Sequence, residues 1–413
     1  MRTAQRSRHP VAETELTLGR KHRPDYWLMI WGLTLMVIGI VVLYAISPAL
    51  AQTNHVSNNY YLIKQLIAVF LSFIAFYATY KIPLKLWRTY YKPLLIFAGL
   101  ATLIALAMPV NPAYPAHRWV RLGGFSFQSV EIVKFAGLIW LASFLAKRIR
   151  QGAIDQFHKT LKPLLYVLIG VGVIIVGIQS DLGSAGVIVV MLFTMAYVAG
   201  LPLKRIGLIA LIGAIGLILA VSSTPYRRQR LEAFLHPQSN CQGSGYQACQ
   251  ALIAVGSGGF LGLGLGSSVQ AYGYLPEADN DSIFAIYAEK FGFVGSTILI
   301  IIFAVFFTRI KNIAERLPDD FSRLLVIGIL TWLSVQALIN IGAMIGLLPL
   351  KGITLPFISY GGTSIVFTTA AVGLVFQASQ YTSIKPREVT VDTSSGRRSS
   401  GSYSSRRLGR VDY

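Results

Sequence analysis

Residues 26–48 read YWLMIWGLTLMVIGIVVLYAISP, a run without one charged side chain. An α-helix rises about 1.5 Å per residue, so about 20 apolar residues cross the roughly 30 Å of hydrocarbon in a bilayer. The run is long enough to span. It is too long for a signal-peptide core, and the hydrophilic stretch 1–25 ahead of it is followed by no cleavage pattern, so it reads as a retained anchor.

Nine further apolar runs follow, at Tyr61–Tyr80, Pro93–Val110, Phe127–Ala146, Pro163–Ser180, Leu182–Gly200, Ile206–Ser222, Ser282–Phe307, Leu324–Pro349 and Thr363–Gln380. Ten is even, which puts both termini on one side. The connections Gln179–Gly183 and Leu201–Arg205 are so short that three consecutive helices must be antiparallel neighbours. The expected fold is all-α: a polytopic membrane protein with ten transmembrane helices in one bundle. Composition agrees, with 54% hydrophobic and 13% charged residues, where soluble domains carry about a quarter charged.

The net charge of +20 would suggest nucleic acid in a soluble protein. Its distribution excludes that reading. Six loops and tails on one side hold 28 of the 37 basic residues, whereas the opposite side holds only Arg118, Arg121, Arg227, Arg228, Arg230 and Lys351. Lys64, Lys134 and Lys290 lie within spans. This is the positive-inside pattern, so both termini are expected in the cytoplasm.

The expected organisation is a basic cytoplasmic segment 1–25, a membrane domain 26–380 and a disordered basic tail 381–413. A loop of about 60 residues, 222–281, lies outside between helices seven and eight; loops of that length usually carry function. The tail is too poor in apolar residues to fold. Its pairs Arg397–Arg398 and Arg406–Arg407 fit contact with anionic lipid as well as simple solvation. Cys241 and Cys249 both fall in the long loop, where an oxidising compartment permits a disulfide or leaves two free thiols.

Acidic residues are few, and three of them crowd into Glu277-Ala278-Asp279-Asn280-Asp281, where the long loop enters helix eight. A carboxylate here fits a helix N-cap, and it equally fits a general base at an outward membrane mouth. Glu131 and Lys134, three apart on one helix face, fit either a structural ion pair or support for a phosphate site. Glu289-Lys290 reads more readily as structural. Scarce outward cations point to an anionic ligand, with lipid headgroups as the plainer account of Pro225–Arg230.

The glycine-rich Gly258–Gly266 follows no strand and lacks a Gly-Lys-Ser/Thr ending, which excludes a nucleotide loop and leaves close backbone packing within the loop. The six histidines and two cysteines show no metal-ligand spacing. Asn280-Asp281-Ser282 matches a glycosylation sequon but abuts a helix start and is discounted.

Lys351-Gly352-Ile353-Thr354-Leu355-Pro356-Phe357-Ile358-Ser359-Tyr360-Gly361-Gly362-Thr363-Ser364 resembles the C-terminal signature of the SEDS family (shape, elongation, division and sporulation). Gln128–Lys134, Gln179–Gly183, Gly243–Gln247, Gly262–Ser267 and Leu275–Asp281 resemble its other motifs, in the family's order, across about 26–380. Leu348–Gly352 is closer to the cell-division branch than to the elongation branch. Two family prolines are replaced by Ser129 and Ser180.

The resemblance implies a membrane glycosyltransferase that polymerises lipid II, the undecaprenyl-pyrophosphoryl disaccharide-pentapeptide, into peptidoglycan strands at the septum. Its partners would be a class B penicillin-binding protein as transpeptidase and other division proteins. By the same resemblance Asp281 matches the catalytic aspartate, and Arg118, Glu131, Lys134 and Lys351 match functionally important charged positions. Glu277, Ser359, Gly361 and Gly362 are carried as supporting positions. Lipid II brings its own leaving group, so no ATP site is required; no cofactor is implied beyond a divalent cation, Mg or Mn, between phosphates, with its ligands unknown. The alternatives are a lipid II flippase, an elongation-type polymerase, or a scaffold for the transpeptidase.

Overall fold

The computed structural model describes residues 21–108, 119–122, 125–222, 224–236, 241–243 and 245–383. The expectations for Arg118, for segment 1–20 and for the tail from residue 384 lie outside the described residues.

Each of the ten apolar runs is occupied by a helix. Asp25 opens α1 (Tyr26–Asn54) by accepting from the main-chain N–H groups of Trp27 and Leu28, which helix geometry leaves unpaired. Pro48 lies inside α1, and the helix runs on to a left-handed cap at His55. Next come α2 (Tyr60–Lys81), the short linker α3 (Leu84–Thr89) and α4 (Tyr91–Ala107). A two-stranded antiparallel hairpin, β1 (Trp119–Leu122) with β2 (Phe125–Gln128), then leads into α5 (Ser129–Arg150). The all-α expectation did not include this hairpin. A composite helix spans Phe157–Ile178, with α6 (Lys162–Gly170) between π-helical turns at Phe157–Leu161 and Val171–Ile178.

Helices α7 (Leu182–Val198) and α8 (Leu203–Ser222) complete the first group. The long loop is partly helical, holding α9 (Pro225–Leu235) and α10 (Tyr246–Ser257). The chain then forms α11 (Ile283–Glu315), α12 (Asp320–Met344) and α13 (Gly362–Ala378). Helix α11 outruns the apolar stretch Ser282–Phe307 because its polar last turns, including the Lys311–Glu315 pair at 3.7 Å, continue past the hydrophobic part.

Among the described residues, seven helices are long and apolar enough to cross a membrane. The 17-residue α4 and α7 are apolar but shorter. Phe70, Leu103, Leu219 and Ile301 are all more than half exposed. Apolar side chains facing outward on long helices mark lipid as the solvent, because water would penalise them. This is a membrane protein.

Small residues allow the closest helix approaches. A Cβ at Gly373 of α13 would stand 2.1 Å from Thr79 Oγ1 of α2, and one at Gly328 of α12 would stand 2.2 Å from Leu138 of α5 and 2.6 Å from Met195 of α7. Fully buried Trp332 of α12 lies in the resulting core. The described chain ends meet: His22 N–H donates to Gln380 O at 2.9 Å, and Asp25 N–H donates to Ser379 Oγ at 2.9 Å.

Candidate active site

The segment joining α12 to α13 and the loop before α11 are bound together by a few side chains. The Asn340 amide donates to the Asp281 carbonyl at 2.8 Å and to the Ile353 carbonyl at 2.7 Å. Ser359 Oγ donates to Asn280 O at 2.6 Å and accepts from Leu355 N–H at 2.7 Å, while Tyr360 N–H donates to Asp279 O at 2.8 Å. The acidic loop is therefore held against residues 353–360. Ser282, not Asp281, occupies the N-cap position of α11; its hydroxyl donates to Pro276 O and accepts from Gln247 of α10 at 3.1 Å.

Below this loop, Lys134 Nζ lies 2.8 Å from Glu131 Oε1, and both side chains are buried. The lysine also donates to Gln336 Oε1 at 3.1 Å and sits 5.1 Å over the Trp332 ring. Gln336 in turn accepts from Trp332 Nε1 at 2.8 Å and donates to Thr354, whose hydroxyl meets Ser364 Oγ at 2.9 Å. One network therefore links α5, α12, the signature segment and the start of α13. Buried charges so arranged are costly unless paired and hydrogen-bonded.

Lys351 adjoins two arginines. Burial, followed by the charges of Arg230 and Arg227, lowers its pKa from the ordinary lysine value. Its Cβ would lie 3.3 Å from a Cβ placed on Gly183, so the Gln179–Gly183 turn also abuts this segment. Arg227 donates to Val176 O at 2.6 Å and Arg230 to Leu350 O at 3.5 Å. Like charges gathered at one place favour an anionic ligand. In the acidic cluster, burial first and then the charge of Glu277 push the pKa of Asp279 up to about 6.

Glu289 and Lys290 do not pair with each other. Glu289 accepts from Ser268 Oγ, from Val269 N–H at 2.9 Å and from Gln270 N–H at 3.2 Å, and Lys290 donates to Leu265 O at 2.6 Å. Both clamp the loop onto α11. Gly258–Gly266 packs closely, as expected, but against α11 and not within the loop: a Cβ at Gly262 would stand 2.2 Å from Lys290 O. There α11 is broken at Gly292, whose φ of 65° suits glycine. Val294 N–H turns to Phe260 O at 3.1 Å for the bond the helix no longer supplies. Cys241 and Cys249 are joined by a disulfide, tying the loop to the first turn of α10.

Gly361 precedes α13 as its N-cap, and Gly362 is its first residue. Glu277 is exposed, with φ 52°. The residues missed in the sequence are Asn340 and Gln336. Their signal was present, as two amides at i,i+4 in a span without a charged side chain.

This arrangement defines a class: a polytopic helical membrane protein with acidic and basic groups gathered where the loop before α11 meets the segment between α12 and α13. The family described as cell cycle protein, FtsW/RodA/SpoVE, matches residues 26–384, and the chain belongs to that family. Stage V sporulation protein E of Bacillus subtilis (strain 168) is 36% identical over 363 residues, 88% of this chain and 98% of the relative. The probable peptidoglycan glycosyltransferase FtsW of Coxiella burnetii (strain RSA 493 / Nine Mile phase I) is 37% identical over 358 residues, 86% of this chain and 95% of its own. The fold resembles a chain from a study of how a peptidoglycan synthase complex coordinates polymerization and crosslinking, with TM-score 0.71, 24% identity and coverage of 86% and 97%. It also resembles rod shape determining protein RodA of Thermus thermophilus, with TM-score 0.61, 24% identity and coverage of 87% and 98%.

Proposed function

We propose that this protein is a peptidoglycan glycosyltransferase that polymerises lipid II during cell division, with Asp281 as general base. The observation that carries the reading is the Asn340 bridge, which sets the Asp281 loop beside the segment bearing Lys351. In the proposed reaction the Asp281 carboxylate takes the proton of the acceptor 4-hydroxyl as that oxygen attacks the anomeric carbon of the donor. The anomeric carbon–oxygen bond breaks, and undecaprenyl pyrophosphate leaves with the electron pair, giving inversion. Arg118, Lys134 and Lys351 would hold the diphosphate, with Glu131 paired to Lys134, and the three cations would stabilise charge growing on the leaving group. A divalent cation between the phosphates would add to that stabilisation; among the described residues no three His, Cys, Asp or Glu side chains converge as a metal-binding group.

The relatives' names support the reaction class, and the resemblance to a synthase-complex chain supports a transpeptidase partner. Lys351 supports the division branch over the elongation branch. The test is polymerisation of lipid II by purified protein, with and without its penicillin-binding partner, comparing wild type with Asp281→Asn. Strands from wild type and none from the variant are expected. Strands made at equal rates by both would remove Asp281 as the base. Liposome translocation of lipid II without polymerisation would replace this reading with a flippase. Imaging of a fluorescent fusion at septum or side wall separates the division role from the elongation role.

A further inference from the structure

Three tyrosines meet at the outer end of α2, beside the acidic loop but apart from Asp281. The rings of Tyr60 and Tyr61 lie 5.4 Å apart at 83°, and those of Tyr61 and Tyr360 lie 5.5 Å apart at 70°. Each edge-to-face contact covers one face of one ring and leaves the faces of the ring that offers its edge outside that contact. Lys64 Nζ donates to the Tyr60 hydroxyl at 2.5 Å and lies 4.4 Å from the ring centroid, at the hydroxyl end of the ring. All three tyrosines, and Asp279 with them, are half-buried: neither packed away in the core nor fully solvated. Tyr360 is tied to Asp279 by its main-chain N–H, and the Asp279 carboxylate acts on its phenol.

A second observation points to an absent ligand. Gln65, only 1% exposed, has neither end of its side-chain amide hydrogen-bonded among the described residues. It lies on the α2 stripe between Tyr61, which meets Tyr360, and Ala68, which is 3.8 Å from where a Cβ of Gly362 would stand. Its amide therefore faces the Tyr360–Gly362 segment. Buried amides normally find partners, and one with none needs an explanation.

The chemistry of the cluster narrows the ligand. Burial and then the Asp279 charge push the Tyr360 phenol well above its usual range, so it stays a donor at physiological pH. Asp279, at about 6, is mostly an ionised acceptor at neutral pH. Aromatic faces, a phenol donor, a carboxylate acceptor and an amide that does both match a pyranose ring, with its C–H face, its hydroxyls and its N-acetyl group. We propose that Tyr60, Tyr61, Tyr360, Asp279 and Gln65 form a saccharide subsite that takes an N-acetylhexosamine ring of the acceptor glycan. The subsite rests on the polymerase reading for the source of that glycan. Only Asn280 lies between Asp279 and Asp281, so a ring held here would place its neighbour toward the base.

The test uses the full chain in nanodiscs with the β-1,4-linked N-acetylglucosamine tetramer as probe, its affinity measured by calorimetry and its bound face by saturation-transfer NMR. Wild type should bind, and Tyr61→Ala and Asp279→Asn should each weaken binding by about tenfold or more. Tyr61→Phe keeps the ring, guards against a folding artefact and should cost about threefold. Equal affinities in wild type and all three variants would overturn the subsite. So would failure of wild type to bind the tetramer while tetramethylammonium binds with the same dependence on Tyr61 and Asp279, which would make the cluster a cation cage. Polymerisation of lipid II assayed in parallel separates the two readings. Unchanged tetramer affinities with normal strand synthesis sink the subsite alone, whereas variant-sensitive tetramer binding without any strand synthesis upholds a saccharide site and sinks the polymerase.

Discussion

Asn340, near the C-terminal end of the membrane helix α12, holds the main-chain carbonyl of Asp281 at 2.8 Å, and the same amide nitrogen holds Ile353 at 2.7 Å. An interior side chain thus sets the height and angle of a loop that the membrane itself does not order. Asn340→Leu would leave two carbonyls unpaired, at about 1–3 kcal/mol for each that is not rehydrated. The expected outcome is a lower melting temperature and lipid II polymerisation reduced at least about tenfold, the loop being free to drift. A variant with wild-type melting and rate would show that the loop is held by other contacts.

The Glu131–Lys134 pair gives a prediction with an internal control. Lys134→Met strands a buried carboxylate and should destabilise by about 3–5 kcal/mol. Glu131→Gln combined with Lys134→Met removes both charges and should recover most of that loss in thermal unfolding. Polymerisation should stay low in the double variant if the lysine supports the phosphate site. Recovery of activity together with stability would make the pair purely structural.

Ser180 adopts φ 55°, in the left-handed region. A proline ring fixes φ near −65°, so Ser180→Pro should cost about 3 kcal/mol or more, whereas Ser180→Gly should be neutral or mildly stabilising. The proline of the family pattern therefore does not fit the backbone seen here, where the neighbouring Gln179 amide donates to Ser129 Oγ at 2.9 Å. The two departures from the pattern adjoin in space. Melting curves of the two variants check this, and equal melting would show that the turn can invert without penalty.

Asp279 gives the pH dependence. Its folded pKa of about 6 exceeds the ordinary carboxylate value of 3.8, so the folded state binds more protons between those pH values. Its contribution therefore favours folding below about pH 4 and is lost as pH rises through about 6, the reverse of a salt-bridged aspartate. Asp279→Asn should flatten that part of the melting-temperature profile and raise stability at pH 8 relative to wild type. An unchanged profile would place the titration elsewhere.

Hydropathy and charge placement carried a great deal of this protein. Ten apolar runs became ten helices because a backbone in hydrocarbon must satisfy its own hydrogen bonds, and a helix does so locally, whatever its neighbours are. Side-chain spacing likewise brought Glu131 and Lys134 together, since residues three apart share a helix face. The long loop was recognisable by its length, while its helices α9 and α10 and the β1–β2 hairpin were not, being short elements stabilised by what they pack against.

Only the tertiary structure decided which distant residues meet. Nothing local to Asn340 announces Asp281, 59 positions earlier, nor does anything near Tyr61 announce Tyr360. Glu289 illustrates the same limit: its sequence neighbour Lys290 suggested a pair, yet each side chain turns to backbone groups of the preceding loop. The physical reason is one of range. Chain periodicity fixes the direction of a side chain relative to its own helix, whereas the partner it finds depends on how the helices pack, and that is set by the sum of many small contacts spread over the whole bundle.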